Sequence, residues 1–462
     1  MKIKYLYLAV ILFVTGLSLL STYIIRQKVT NNLISDEGYY HIFLADTLKS
    51  QKDLSVLLFE GSEYSLADFF LLSFKNPYPV VKYLPVLLGI FSIAIFFCIL
   101  IKIGLSPEQS LITSLILAIS PSFIYAFTVF ENSGIIGFLG LLAILFLLYD
   151  FYLPALFIVC IIPIIDLQAL VISIIIIMSF YHAVKKRKLF PSIVLIAITG
   201  GVYSYYLKPE ILALKENFVA LLISDLGAKN GIGIFSVALS LLGIFIIWRE
   251  KREEFLFYIL ILCLLLVSAL IPNFIIFLDI MLVYYAGIGI NKLLHRQWEY
   301  PTLKSYVILL IACGLFLSAT TQIVKLAGYR PSETEKNSLE WLFEYSNSSY
   351  NKSSVVLSSY ENGIIIKSIA RMDVVSDNYY FRKSSEKSKI KDSEEMFYSR
   401  DLAKTKALLD KYNVKYIWIN KDMMQNVWQN EEQGLLFLVE NSKAFKKIYE
   451  DKDVFIWEYL NE

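Results

Sequence analysis

The sequence predicts an α-helical polytopic membrane protein of about eleven spans, followed by a C-terminal α/β domain outside the membrane. Three observations predict it. Of 462 residues, 56% are hydrophobic and 18% charged, whereas soluble chains carry about 25% charge. The mean hydropathy is +0.58. The apolar residues come in long blocks rather than at a period of 3.6 or 2, and such blocks describe spans. At Tyr329 the composition turns polar and stays so to Glu462. The net charge of +2 is too small to suggest a nucleic-acid partner. Cys98, Cys160, Cys263 and Cys313 all lie in apolar blocks, so no disulfide framework or zinc site is implied.

The basic start Met1–Lys4 leads into an apolar run at 5–25. It is long for a signal-peptide core and lacks a small-residue cleavage site, so it is read as the first span. Further spans are expected at 83–103, 110–128, 134–149, 151–165, 167–183, 190–207, 231–248, 255–271, 274–294 and 305–327. With the N-terminus inside, the inner loops hold Lys102, Lys185-Lys186-Arg187-Lys188, Arg249, Lys251, Arg252, Lys292, Arg296 and Lys304. The short outer turns at 130–133, Asp166 and Pro272-Asn273 hold no Lys or Arg. That is the positive-inside pattern. An odd span count then puts the C-terminal region outside, and the domains become 1–328, with an outer first loop at 26–82, and 329–462.

This topology gathers Asp36, Glu37, Glu131 and Asp166 on the outer face. An acid at a span end escapes the roughly 2.5–3.5 kcal/mol that insertion scales assign to the bilayer centre, so some of them are expected to be solvated ends. The stretch Ser35-Asp36-Glu37-Gly38-Tyr39-Tyr40-His41 packs two adjacent carboxylates, two tyrosines and a histidine just past the first span. It reads as an active-site centre, and the plain alternative is a solvated loop opening an interfacial helix. Tyr40, Phe43, Leu44, Thr47 and Leu48 share one helical face, and Ile211, Leu214, Phe218, Leu221 and Leu222 form a second stripe; both suit helices lying at the membrane interface.

In the C-terminal domain a helix is expected at 333–345, with Ser332 as N-cap and Glu335 three residues on. Strands are expected at 355–357, 373–376, 414–420 and 454–459, with a helix at 402–411. The Ser/Lys-rich stretch 383–392 reads as a mobile loop. Asn347 and Asn351 stand in Asn-x-Ser sites.

Three stretches, in this order and on this side of the membrane, resemble the GT-C glycosyltransferases, most closely the catalytic subunits of archaeal-type oligosaccharyltransferases. They are Asp36-Glu37-Gly38-Tyr39-Tyr40-His41, Phe130-Glu131-Asn132-Ser133-Gly134-Ile135, and the entry to the outer domain at 337–363, joined by Lys411-Tyr412-Asn413-Val414-Lys415-Tyr416. The resemblance implies transfer of a sugar or oligosaccharide from a polyprenyl (dolichyl) phosphate-linked donor to a protein, lipid or polysaccharide acceptor. It implies a catalytic acid at Glu37, counting back from His41. The adjacent acid pair also resembles the protein O-mannosyl and aminoarabinose transferases, which would put that acid at Asp36. It further implies Mg²⁺ or Mn²⁺ held by Asp36, Glu37 and Glu131, and substrate contacts from Tyr40, His41, Asn132, Asp166, Tyr360 and Glu361.

The chain also departs from the family pattern. Ser133 stands where the family has a second acid, which leaves a metal-independent mechanism open beside the metal-dependent one, and Ser359-Tyr360-Glu361-Asn362-Gly363 replaces Trp-Trp-Asp-Tyr-Gly, the family's reader of the acceptor Ser/Thr. The Arg that the family supplies to the lipid phosphate near Pro272-Asn273-Phe274 is missing, leaving Arg26, Lys208 and Lys215 as substitutes. A different class stays open: a non-catalytic glycolipid-binding relative, or a transporter or flippase of lipid-linked sugars. Against transport, no repeat of interrupted helices appears, and the acids cluster at one surface.

Overall fold

The computed structural model describes residues 2–28, 32–50, 66–166, 169–170, 172–174, 222–250, 261–265, 267–268, 274–348, 354–377, 386–428 and 432–460. The expected span at 190–207, most of those at 167–183 and 255–271, the stripe 211–221, the turn Pro272-Asn273 and the site Asn351 fall outside these residues. The chain forms two compact units, one of residues 1–26 and 53–328, the other of 27–52 and 329–462.

The first unit is helical: α1 (Lys2–Gln27), α3 (Leu66–Leu72), α4 (Tyr78–Ile103), α5 (Pro107–Ala118), α6 (Pro121–Ala126), α7 (Asn132–Leu148), α8 (Tyr152–Ile165), α9 (Ile234–Glu250), α10 (Ile275–His295) and α11 (Pro301–Ala327). Among the described residues four helices, α1, α4, α10 and α11, are long and apolar enough to cross a membrane, while α7, α8 and α9 are shorter apolar helices. Their outward faces are apolar: Phe13 is 72% exposed, Phe91 59% and Phe316 63%. Faces of this kind belong against lipid rather than water.

The expected continuous span 110–128 is instead two helices. Pro121 has no N–H and disfavours helical geometry at Ser120, so α5 stops at Ala118 and α6 starts afresh with Ser120 as N-cap and extended (ψ 135°). The entry to α5 carries a capping box, Ser106 Oγ accepting from Gln109 N and Gln109 Oε1 from Ser106 N, each at 3.2 Å. Helices α9 and α10 touch backbone to backbone, since a Cβ on Gly243 would lie 1.9 Å from the Tyr285 carbonyl oxygen. Small residues at such crossings are the usual means of close packing in membranes.

The second unit centres on a five-stranded sheet of order β2-β1-β3-β5-β4. Its strands are β1 (Val355–Leu357), β2 (Asp373–Val374), β3 (Val414–Asn420), β4 (Phe445–Asp451) and β5 (Val454–Tyr459). β1 runs parallel to β2 and β3, while β5 is antiparallel to both β3 and β4. Side chains alternate across a strand. Thus Ile417 and Ile419 face one core with Met396, Phe397 and Leu435, and Tyr416 and Trp418 face another with Leu339, Leu342 and Ile365.

Helices flank the sheet: α12 (Glu333–Ser348), α13 (Gly363–Ala370), α14 (Glu386–Tyr398), α15 (Leu402–Lys411), α16 (Lys421–Asn426) and α17 (Gly434–Asn441). The stretch expected to be a mobile loop is helical from Glu386, because Met396 and Phe397 further along α14 are buried in the core. The capping box at Ser332 and Glu335 is present, with Ser332 N bonded to Glu335 Oε2 at 2.9 Å and Glu335 N to Ser332 Oγ at 3.2 Å.

Helix α2 (Asp36–Ser50) belongs to this second unit. Its face of Tyr40, Leu44, Ala45 and Leu48 is buried. It packs on α13, and Arg371 Nη2 pairs with Asp46 Oδ2 at 3.3 Å. The amphipathic stripe therefore finds a protein partner.

Candidate functional site

In the second unit, Asp36 and Glu37 form the first turn of α2, where the helix dipole favours negative charge. Ser35 Oγ accepts from Glu37 N at 3.2 Å, and the Tyr39 hydroxyl accepts from Leu33 N at 3.2 Å. Both carboxylates are half-buried, while Tyr40 and His41 are 4% and 5% exposed. Tyr360 and Glu361 occupy a 3₁₀ turn, Tyr360–Asn362, that leads into α13, the helix on which α2 rests. Burial, then the neighbouring Glu361 carboxylate, pushes the Tyr360 phenol above its ordinary value.

Gly363 is required here by close approach. A Cβ would lie 2.5 Å from Asp377 Cβ and 2.6 Å from the Ser376 carbonyl oxygen. Asp377 in turn accepts from Lys367 Nζ at 2.6 Å. Beside the edge strand β2 lies a cavity of about 330 Å³, lined by Lys367, Asp373, Ser376, Asp377, Lys389 and Tyr412 among others.

In the first unit, Glu131 is N-cap of α7 and 7% exposed. The Tyr125 hydroxyl donates to its Oε1 and Ser133 Oγ to its Oε2, the latter at 3.2 Å. Asn132 opens α7 and Asp166 closes α8. Gly134 lets α7 start against α6, since its Cβ would fall 2.2 Å from the Ala126 carbonyl oxygen. An apolar crevice lined by Leu84, Pro85, Leu88, Phe130 and Ile135 adjoins Glu131. Nearby, the Tyr23 hydroxyl on α1 donates to the Thr128 carbonyl at 2.6 Å.

The predicted metal set is thus divided between the two units, with Asp36 and Glu37 in one and Glu131 in the other. Among the described residues, no three His, Cys, Asp or Glu side chains gather as a metal-binding group. Arg26, considered as a phosphate cation, is 2% exposed and donates from Nη1 to the Ala327 carbonyl at 3.1 Å. Lys208 and Lys215 lie outside the described residues.

Two features escape sequence reasoning. Asp279, on α10, is fully buried, and its Oδ2 accepts from Ser120 Oγ and Ser122 Oγ, each at 2.5 Å. A carboxyl inside a spanning helix is a functional signal in principle, but a hydropathy window absorbs a single acid without notice. The second feature is the loop 222–233, held to α11 by three side chains one and two turns apart. Ser318 Oγ donates to Asp225 Oδ2 at 3.1 Å, Gln322 Nε2 to the Lys229 carbonyl at 3.0 Å, and Lys325 Nζ to the Gly227 carbonyl at 2.8 Å and to the Ala228 carbonyl.

No protein-family model matches the chain, and no curated protein matches its sequence. Solved structures do match its fold. The oligosaccharyltransferase AglB of Archaeoglobus fulgidus, in complex with an inhibitory peptide and a dolichol-phosphate, is 12% identical with a TM-score of 0.58, over 98% of this chain and 74% of that one. ArnT of Cupriavidus metallidurans in the apo state is 10% identical with a TM-score of 0.56, over 98% and 97%. The same protein bound to undecaprenyl phosphate is 11% identical with a TM-score of 0.53, over 99% and 98%. The chain shares the fold of these two proteins, in agreement with the resemblance read from the three sequence stretches.

Proposed function

We propose that this chain is a membrane glycosyltransferase that moves a sugar or oligosaccharide from a polyprenyl-phosphate-linked donor to an acceptor on the outer face. The observation that carries the reading is a GT-C fold along the whole chain, with adjacent carboxylates on the first turn of the helix after α1. The AglB and ArnT structures hold dolichol-phosphate and undecaprenyl phosphate, which supports a lipid-linked donor here. In the proposed topology about eleven helices span the membrane, with the N-terminus cytoplasmic and the C-terminal domain outside.

In the reaction, the acceptor's nucleophilic atom bonds to the anomeric carbon while the bond from that carbon to the phosphate oxygen breaks. The electron pair leaves with the phosphate. Asp36 or Glu37 orients the nucleophile and takes its proton, as a carboxylate within hydrogen-bond reach can. Asp36, Glu37 and Glu131 are the residues proposed to hold a hard divalent ion, each through the carboxylate oxygens that such ions prefer. The Tyr125 and Ser133 hydroxyls on Glu131 are the kind of outer-shell support that orients a ligand. When bound, Mg²⁺ or Mn²⁺ would act as a Lewis acid on the leaving phosphate. Tyr40, His41, Asn132, Asp166, Tyr360 and Glu361 are the proposed substrate contacts, and protein, lipid and polysaccharide are the acceptor classes.

The test follows labelled polyprenyl-linked sugars in membranes of a deletion strain complemented with wild type, Asp36→Ala, Glu37→Ala or Glu131→Ala, with and without chelator. We expect lipid-linked donor to accumulate in the deletion and wild type to relieve it. Loss of the catalytic one of Asp36 and Glu37 should slow transfer by about 10²–10⁴-fold, with membrane insertion intact. Donor pools that stay unchanged in every strain would refute transfer and favour glycolipid binding or transport.

A further inference from the structure

An irregular backbone among apolar helices is tolerated where it is buried in protein or lines a cavity, and the loop 222–233 is built with unusual firmness. Beyond its three anchors on α11, it closes on itself. Ile232 N donates to the Leu222 carbonyl at 2.8 Å and Ser224 N to the Ile232 carbonyl at 3.1 Å. Asp225 Oδ2 accepts from Ile234 N at 2.7 Å. Gly227 takes a φ of +105°, and a Cβ on Gly231 would fall 2.5 Å from Ser224 N.

At the apex stand two residues of opposite situation. Lys229 is exposed, and its ammonium lies 5.9 Å from the centroid of the Tyr125 ring. Tyr125 is the residue whose hydroxyl donates to Glu131. Asn230 is 6% exposed, yet among the described residues neither its Oδ1 nor its Nδ2 has a hydrogen-bond partner. A buried amide with both ends unmet demands an explanation, and a ligand that both accepts and donates hydrogen bonds supplies one.

We propose that this loop binds the phosphate group of a polyprenyl phosphate, with Lys229 supplying charge at the rim and Asn230 donating from Nδ2 to a phosphate oxygen. A phosphate monoester bearing one proton can also donate to Asn230 Oδ1, which satisfies both orphaned atoms. The cation and the Tyr125–Glu131 pair are neighbours across one aromatic ring, so the bound phosphate lies beside the acid turn of α7. The apolar crevice at Leu84, Leu88 and Ile135 gives the adjoining lipid tail a dry surface. This assignment rests on the polyprenyl-phosphate reading above and names the residues that the missing arginine leaves undetermined.

The experiment titrates undecaprenyl phosphate into the purified full-length protein in detergent, for wild type, Lys229→Ala, Asn230→Ala and Asn230→Asp. Undecaprenol and inorganic phosphate serve as separate probes, and melting curves check that each variant is folded. Asn230→Asp keeps the size of the side chain but sets a carboxylate against the phosphate. It should weaken binding by tenfold or more, and more than Asn230→Ala does. Lys229→Ala should weaken binding by about tenfold, the effect of one charge-assisted contact, and flatten its salt dependence. Undecaprenol should bind all four proteins alike. Inorganic phosphate should compete with the lipid only weakly, which distinguishes a lipid headgroup site from a free-phosphate site.

Folded Lys229→Ala and Asn230→Asp that bind undecaprenyl phosphate as wild type does would overturn the proposal, while the transferase reading stands on its own assay. Stronger binding of free phosphate than of the lipid would overturn it as well. A wild-type protein that binds no polyprenyl phosphate would sink the transferase reading, and this assignment with it.

Discussion

Glu335 is where the second unit begins, and its replacement makes a quantitative test of the structure. The side chain is 6% exposed. Its Oε2 accepts from Ser332 N, while its Oε1 accepts from Arg330 Nη2 at 2.6 Å, Arg330 Nε at 3.1 Å and Asn420 Nδ2 at 2.7 Å. Glu335→Ala removes half of the capping box, a loss of about 1 kcal/mol. It also leaves the amide of Asn420, itself 2% exposed, without this acceptor, at about 1–3 kcal/mol. Arg330 is a quarter exposed and keeps Asp422 Oδ2 at 3.4 Å, so its share stays below about 1 kcal/mol. The total is about 3 kcal/mol, which lowers Tm by roughly 6–12 °C for a unit of 150–250 residues.

Tryptophan fluorescence of the full-length protein during heating is the assay. Trp418 donates from Nε1 to Ser338 Oγ, one turn along the same helix as Glu335, and reports the event. Glu335→Gln keeps one carbonyl oxygen, enough for either Ser332 N or Asn420 Nδ2 but not for both, and should lose less than Glu335→Ala. A Glu335→Ala midpoint within about 2 °C of wild type would refute the reasoning.

Asp279→Ala deprives two buried serine hydroxyls of their shared acceptor and should destabilise the first unit by about 1–3 kcal/mol, with Asp279→Asn milder; detergent-dependent thermal inactivation measures this. Gly363→Ala drives a Cβ into the backbone at Ser376 and should cost about 1–3 kcal/mol. At Gly137 the nearest atoms stand 3.7 Å away, so Gly137→Ala should melt close to wild type. Burial first, then Glu458 and Tyr345, raises the Tyr416 phenol to about 12, and burial with Asp410 does the same for Tyr459. A raised folded pKa means the native state holds the proton more tightly, so stability is intact below about pH 10 and drains as pH rises through about 12. Tyr416→Phe should shallow that alkaline slope in a pH series of melts. At neutral pH it should cost little, because the buried hydroxyl has no hydrogen-bond partner among the described residues.

Local physics made much of the second unit legible. The strands 414–420 and 454–459 and the helix 402–411 fall where alternation and capping put them, the helix opened by Asp401 accepting from Ala403 N and Lys404 N. Strand β4 was missed because Lys446, Lys447, Glu450 and Asp451 mask its pattern, as charge often does on an edge strand. Helix α13 is eight residues long, a short apolar run whose type periodicity cannot decide. The break before Pro121 was written in the sequence, yet the unbroken hydropathy on either side hid it.

The sequence by itself determined the class of the protein, the blocks that become apolar helices, and the three stretches resembling GT-C enzymes, because hydropathy, caps and turn residues act within a few positions of themselves. Only tertiary structure decided which long-range partners each group acquires. Glu335 announces its cap through Ser332, but not Asn420, 85 residues further along. Asp279 meets Ser120 and Ser122 across more than 150 residues. Lys229 comes to lie beside Tyr125, and α2 comes to rest on α13, because buried polar groups and apolar faces take whichever partners the packed chain brings within reach.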